Sequence, residues 1–202
     1  MLWAGLFQLA TVPVYGFLAS RVDLRLLLMT GLACFGASMW LFTPIMNQWG
    51  PEEMLPALAF RGIAVPLAMA STVALTLGGL PPDRLKSASG LFALMRNLGG
   101  AIGIAVSATI VNDRTNLHFQ RMAEHLNFSN TELAGWLRRM TSHYVQAWGD
   151  PMAGQAAALK KLWGLAYQEA QVQAFADAYL IIAVCFVVSA MMVPFMRGVT
   201  RK

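Results

Sequence analysis

Charge is what this 202-residue chain has least of. Asp, Glu, Lys and Arg make up 12% of it, about half the share of an ordinary soluble domain. No charged residue occurs in 1–20, 26–51, 62–82, 97–112 or 178–196, and no histidine lies in them either. Such stretches exclude a conventionally solvated surface. Cysteine is nearly missing, and Cys34 and Cys185 both sit in apolar stretches. They read as buried, inert thiols that say little about redox compartment. There is no phosphate-cradling glycine loop, no nucleophile elbow and no paired-cysteine motif, so no enzyme and no cofactor is expected. His118 and His125 are seven residues apart without a third ligand at suitable spacing, and His143 stands further on. No metal site is expected.

What the chain does have is long apolar runs. A spanning helix needs roughly 20 mostly apolar residues. Five runs qualify: 2–20, 26–46, 55–80, 87–111 and 175–196. They lack the period-2 alternation of membrane barrel strands. The fold class expected is all-α, a polytopic helical membrane protein with five transmembrane helices. The first run has no basic start, contains Pro13 and lacks a clear cleavage site, so it reads as a retained span.

The net charge of +5 would suit nucleic acid, but the basic residues cluster at the ends of apolar runs. Positive-inside topology explains that pattern, with the lipid bilayer as partner and no nucleic acid. Arg21 and Arg25, Arg84 and Lys86, and Arg197, Arg201 and Lys202 fall on one side. The opposite short loop, Asn47–Glu53, has neither Lys nor Arg. The basic side is therefore expected to be cytoplasmic, with the tail 197–202 inside. Residues 113–174 are then an external loop. It holds six Lys/Arg, but a loop of about 60 residues largely escapes the rule.

That loop is patterned as a helical hairpin. Ser129-Asn130-Thr131-Glu132 reads as a capping box, followed by Leu133, Trp136, Leu137, Met140 and Tyr144 at helical spacing. Asp150-Pro151 reads as a cap followed by proline in the first turn, opening a second helix that can run on into the last span. Its amphipathic faces suit packing on the membrane rim or docking a partner. Asn127–Ser129 fits a glycosylation sequon, a pattern common by chance.

Arg96 lies in the middle of the fourth span. Charges at that depth face a bundle interior or a water-filled path. At helical spacing it shares a face with Gly99, Gly100 and Gly103, a small-residue pattern that lets another helix approach closely. Two readings stand side by side: an arginine bonded to a neighbouring helix, or one lining a seam that opens. Asn97 adjoins it. The third span carries Arg61, Pro66, Ser71, Thr72 and Thr76, a bent, hydroxyl-bearing helix suited to line a cavity. For Arg61, near the outer end of the span, snorkelling to the interface is the favoured reading. Asp177 is the one carboxylate within or bordering a span; an interfacial cap or an ion pair with Arg61 is its expected role, with proton coupling as the alternative.

Gly78-Gly79-Leu80-Pro81-Pro82-Asp83-Arg84-Leu85-Lys86-Ser87-Ala88-Ser89-Gly90, followed by Met95-Arg96-Asn97-Leu98-Gly99-Gly100-Ala101-Ile102-Gly103, resembles the EmrB/QacA branch of the major facilitator superfamily, the fourteen-span drug:proton antiporters. Gly16–Arg25, with Arg21, Asp23 and Arg25, looks like a degenerate copy of that superfamily's first cytoplasmic loop; Ser20 and Asp23 depart from its pattern. The resemblance covers essentially the whole chain. It implies a partial C-terminal domain, the last five of fourteen spans, from a multidrug efflux carrier working by alternating access in the bacterial inner membrane. A proton gradient would supply the energy and a hydrophobic drug-like compound would be the substrate. The rest of the carrier would be an N-terminal transporter half missing here. A periplasmic membrane-fusion protein and an outer-membrane channel would be partners. Arg96, Asn97 and the three glycines would then line the seam between halves. The alternative is a truncated or decayed membrane fragment without transport activity, acting at most as a structural or interaction module.

Overall fold

Helix starts and stops follow local chemistry. The computed structural model describes residues 2–46, 49–125 and 131–195. The sequon at Asn127–Ser129, the first two residues of the Ser129–Glu132 capping box, Asn47 and Gln48 of the acidic loop, and the tail 197–202 lie outside the described residues. Helix α1 is Leu2–Arg21, α2 Leu24–Leu41, α3 Pro51–Leu77, α4 Pro82–His125, α5 Thr131–Trp148 and α6 Pro151–Met192, closing in a 3-10 turn at Val193–Phe195. Of the described residues 92% are helical, with no strand among them. α1 ends where Arg21 folds back over the Phe17 ring, 4.4 Å from its centroid. α3 opens with Pro51 in its first turn and with Glu53 accepting the Gly50 N–H, two features that suit a helix N-terminus. α5 stops at Gly149, whose φ of 73° glycine adopts without strain. Asp150 then caps α6, its Oδ1 accepting the Met152 N–H at 2.9 Å.

Four of these helices are long and apolar enough to cross a membrane, and α1 carries no charge before Arg21. The chain is an all-helical polytopic membrane protein. α4 and α6 are longer than a bilayer needs. At 1.5 Å per residue their 44 and 42 residues run about 66 and 63 Å, against a hydrocarbon core of about 30 Å. The apolar stretch 87–111 is only the middle of α4. Residues 112–125 contain neither glycine nor proline, so nothing stops the helix where the apolar residues end.

Packing divides the chain into two units, residues 1–107 with 178–202, and residues 108–177. In the first unit α2 and α3 meet backbone to backbone. A Cβ on Gly31 would lie 2.7 Å from the Ala68 amide nitrogen and 3.0 Å from Leu67 Cβ. Ser38, fully buried, donates its hydroxyl to the Ala57 carbonyl at 2.7 Å. Lipid gives no hydrophobic push between helices, so small residues and such bonds hold them together. Residues 178–192 of α6 also lie on α2. Phe35 stacks on Phe186 at 4.6 Å, and Gly36 faces the Ala183 carbonyl. α1 packs along α3.

In the second unit, small residues again mark the close approach. Gly154 is buried, and a Cβ there would lie 2.5 Å from Val145 Cγ2 on α5. Ala158, Ala170 and Ala174 are fully buried along the same helix. Trp163 and Tyr167 stack at 5.2 Å, and Phe119 of α4 meets both edge-on.

Overpacking a close helix crossing costs about 1–3 kcal/mol. Gly31→Leu should therefore destabilise the chain by that amount in a denaturant titration in micelles. Gly100→Leu, at a position with nothing within 4 Å, should not. Equal losses from both would contradict the packing described.

Candidate functional site

α4 brings Arg96 and its glycines onto one face by helical periodicity. Nothing in the described chain covers that face. A Cβ on Gly99, Gly100 or Gly103 would meet no atom within 4 Å. Arg96 and Asn97 are exposed, and Arg96 makes no ion pair among the described residues. None of residues 82–107 is buried. An arginine at a bilayer centre costs about 2.5–3.5 kcal/mol on insertion scales, so in a membrane this face calls for protein or water rather than lipid.

The third-span residues are not gathered at one point. Arg61 and Thr76 are fifteen residues apart, about 22 Å along α3. Arg61 is exposed and Pro66 buried. Thr72 and Thr76 turn their hydroxyls back to the carbonyls of Ala68 and Thr72, both at 2.7 Å. Ser71 is fully buried, and its hydroxyl has no hydrogen-bond partner among the described residues. On the loops, Asp23, Asp83 and Arg84 are exposed, and Arg25 buries one guanidinium nitrogen that finds no partner among the described residues.

Asp177 does not take Arg61 as its partner. Its Oδ2 stands 2.8 Å from His118 Nε2 and 3.6 Å from Arg114 Nε. Arg114 and His118 are one turn apart on α4 and present two donors to the one carboxylate of α6. His118 is the most enclosed of the three, with its side chain 15% exposed. Sequence reasoning missed this cluster because His118 was weighed only as a metal ligand. The available signal was the i, i+4 pairing of Arg114 with His118. Among the described residues no group of three His, Cys, Asp or Glu is placed to hold a metal.

Helices of this length and polarity define an all-helical polytopic membrane protein. Comparison with known proteins sharpens the class. The chain is similar to EmrB proteins, which are much longer, and to one of them along almost its whole length. It is 24% identical over 199 residues to the colistin resistance protein EmrB of Acinetobacter baumannii, covering 98% of this chain and 38% of that protein. It is 28% identical to the multidrug export protein EmrB of Haemophilus influenzae and 29% identical to that of Escherichia coli K12, each over 127 residues, 61% of this chain and 24% of the relative. The chain thus spans well under half the length of these relatives. No family model matches the sequence.

Because Arg96 makes no ion pair among the described residues, Arg96→Leu should leave the chain's own unfolding free energy in micelles within about 0.5 kcal/mol of the unsubstituted value. A loss above about 2 kcal/mol, measured by chemical denaturation, would reveal a structural role.

Proposed function

We propose that this sequence is the C-terminal portion of a proton-coupled multidrug efflux carrier of the major facilitator superfamily, working by alternating access in the bacterial inner membrane. Similarity to the EmrB protein of Acinetobacter baumannii over 98% of the chain carries the reading. The uncovered face of α4 supports it: Arg96, Asn97, Gly99, Gly100 and Gly103 form the surface on which the other half of the carrier closes. Two halves rocking about a midplane site need a close, small-residue contact that separates and re-forms. An arginine in that contact suits a seam that is alternately wetted and closed. The substrate is a hydrophobic drug-like compound, and α3, with Arg61, Pro66, Ser71, Thr72 and Thr76, forms part of the wall it passes.

The loops with Arg21, Asp23, Arg25, Asp83 and Arg84 lie on the cytoplasmic side, with the C-terminus. Residues 113–174 then lie outside the inner membrane. This segment gives a periplasmic membrane-fusion protein and its outer-membrane channel a surface to meet.

The test is drug export from cells or vesicles, with the full-length gene product carrying this sequence and with the 202-residue chain alone. Proton-driven export of a fluorescent drug is expected from the former and not from the latter. Arg96→Ala should lower export at least tenfold, while Arg96→Lys, which keeps charge but loses the planar fork of donors, should restore only part. Export by the short chain alone, or unimpaired export by Arg96→Ala, would refute this reading.

A further inference from the structure

Within the second unit, the end of α5 and the first half of α6 enclose a groove of about 450 Å³. Ligand pockets run from about 300 to 1,000 Å³, so the size suits a small molecule. One wall is aromatic. Tyr144 and Trp148 stand one turn apart on α5 with ring centroids at 5.5 Å, and Trp148 is 60% exposed. The other wall is basic. Lys160 and Lys161 of α6 both line the groove, are exposed, and make no ion pair among the described residues. Gly164, one turn further, leaves the floor open, since a Cβ there would meet nothing within 4 Å. No carboxylate lines the groove among the described residues.

We infer that this groove binds a small organic anion with a flat apolar body. The anionic group sits between the ammonium groups of Lys160 and Lys161, and the ring system lies against Tyr144 and Trp148. Either wall alone is weak. An exposed lysine holds an anion loosely, because water and salt screen the pair. An exposed indole and phenol gain by covering an apolar ring, and Trp and Tyr are the side chains on which binding energy concentrates. A ligand carrying both parts uses both walls at once, and Gly164 gives it room to lie flat. A protein surface is the poorer match for this groove. An interface engages about 20–30 residues a side, whereas eight residues line the groove. The site is complete within one unit, so it does not depend on what the protein transports.

The probe is naphthalene-2-sulfonate, titrated by calorimetry into the 202-residue chain in phosphatidylcholine nanodiscs, with empty nanodiscs subtracted. Saturable binding is expected, and neutral 2-naphthol should bind at least tenfold more weakly. Exchanging both lysines, Lys160→Gln with Lys161→Gln, should weaken the sulfonate at least tenfold, as should Trp148→Ala. Gly164→Leu fills the groove and should abolish binding while both lysines remain. Lys86→Gln, on α4, should change nothing. No binding beyond that of empty nanodiscs, equal affinity for 2-naphthol, or undiminished binding by the lysine pair variant or by Gly164→Leu would each overturn the inference. Should Trp148→Ala loosen the hairpin, the lysine and glycine variants still decide, because they alter exposed or open positions. A membrane lipid also joins an anion to an apolar body. The Trp148 emission, taken as the difference from Trp148→Phe, should therefore escape quenching by lipids brominated in their acyl chains. Quenching would give the groove to the membrane and overturn the assignment to a dissolved ligand.

Discussion

Hydrocarbon offers the backbone no hydrogen-bond partner, and the architecture of this chain follows from that constraint. Each apolar segment satisfies its own amides by coiling into a helix. The helices then have little hydrophobic reason to associate, because lipid is as apolar as their side chains. Contact is won where side chains are small enough to let backbones touch. Gly31 against Ala68, Gly36 against Ala183, and the Ser38 hydroxyl on the Ala57 carbonyl do this for α2. The second unit, more polar in sequence, adds aromatic stacking around Trp163 and the ion pairs of Asp177.

Small residues therefore carry two meanings in one chain. Gly31 and Gly36 are covered, and a side chain at Gly31 would collide with backbone. Gly99, Gly100 and Gly103 meet nothing within 4 Å. Their spacing looks equivalent in sequence, since both sets mark a helix face able to be approached closely. One face has its partner within the chain, and the other carries an arginine and has none among the described residues. That difference makes the α4 stripe the candidate for a contact beyond the described residues, while the α2 stripe is internal scaffolding.

Much of the helical plan was legible beforehand because its signals are local. Apolar length marked the spans, and Asp150 with Pro151 marked the start of α6. Boundaries were harder. The apolar signal fades near Val111, yet α4 runs on to His125, since polarity does not stop a helix; glycine, proline or a cap does. The site was legible only in part. Arg96 and its glycines follow from periodicity on one helix. The expected partner of Asp177 did not, because an ion pair between distant helices depends on which faces pack together, and Arg61, Arg114 and His118 are equally available on paper.

By itself, the sequence determined that the chain is helical and membrane-bound, and that one helix bears an arginine on a stripe of glycines. These are consequences of composition and of a 3.6-residue period, which act within a segment. Only the tertiary structure decided that Gly31 and Gly36 are covered while Gly99 to Gly103 are open, and that Asp177 belongs to His118 and Arg114. Such choices depend on the register between helices far apart in the chain, where small differences in packing and hydrogen bonding select one partner among several.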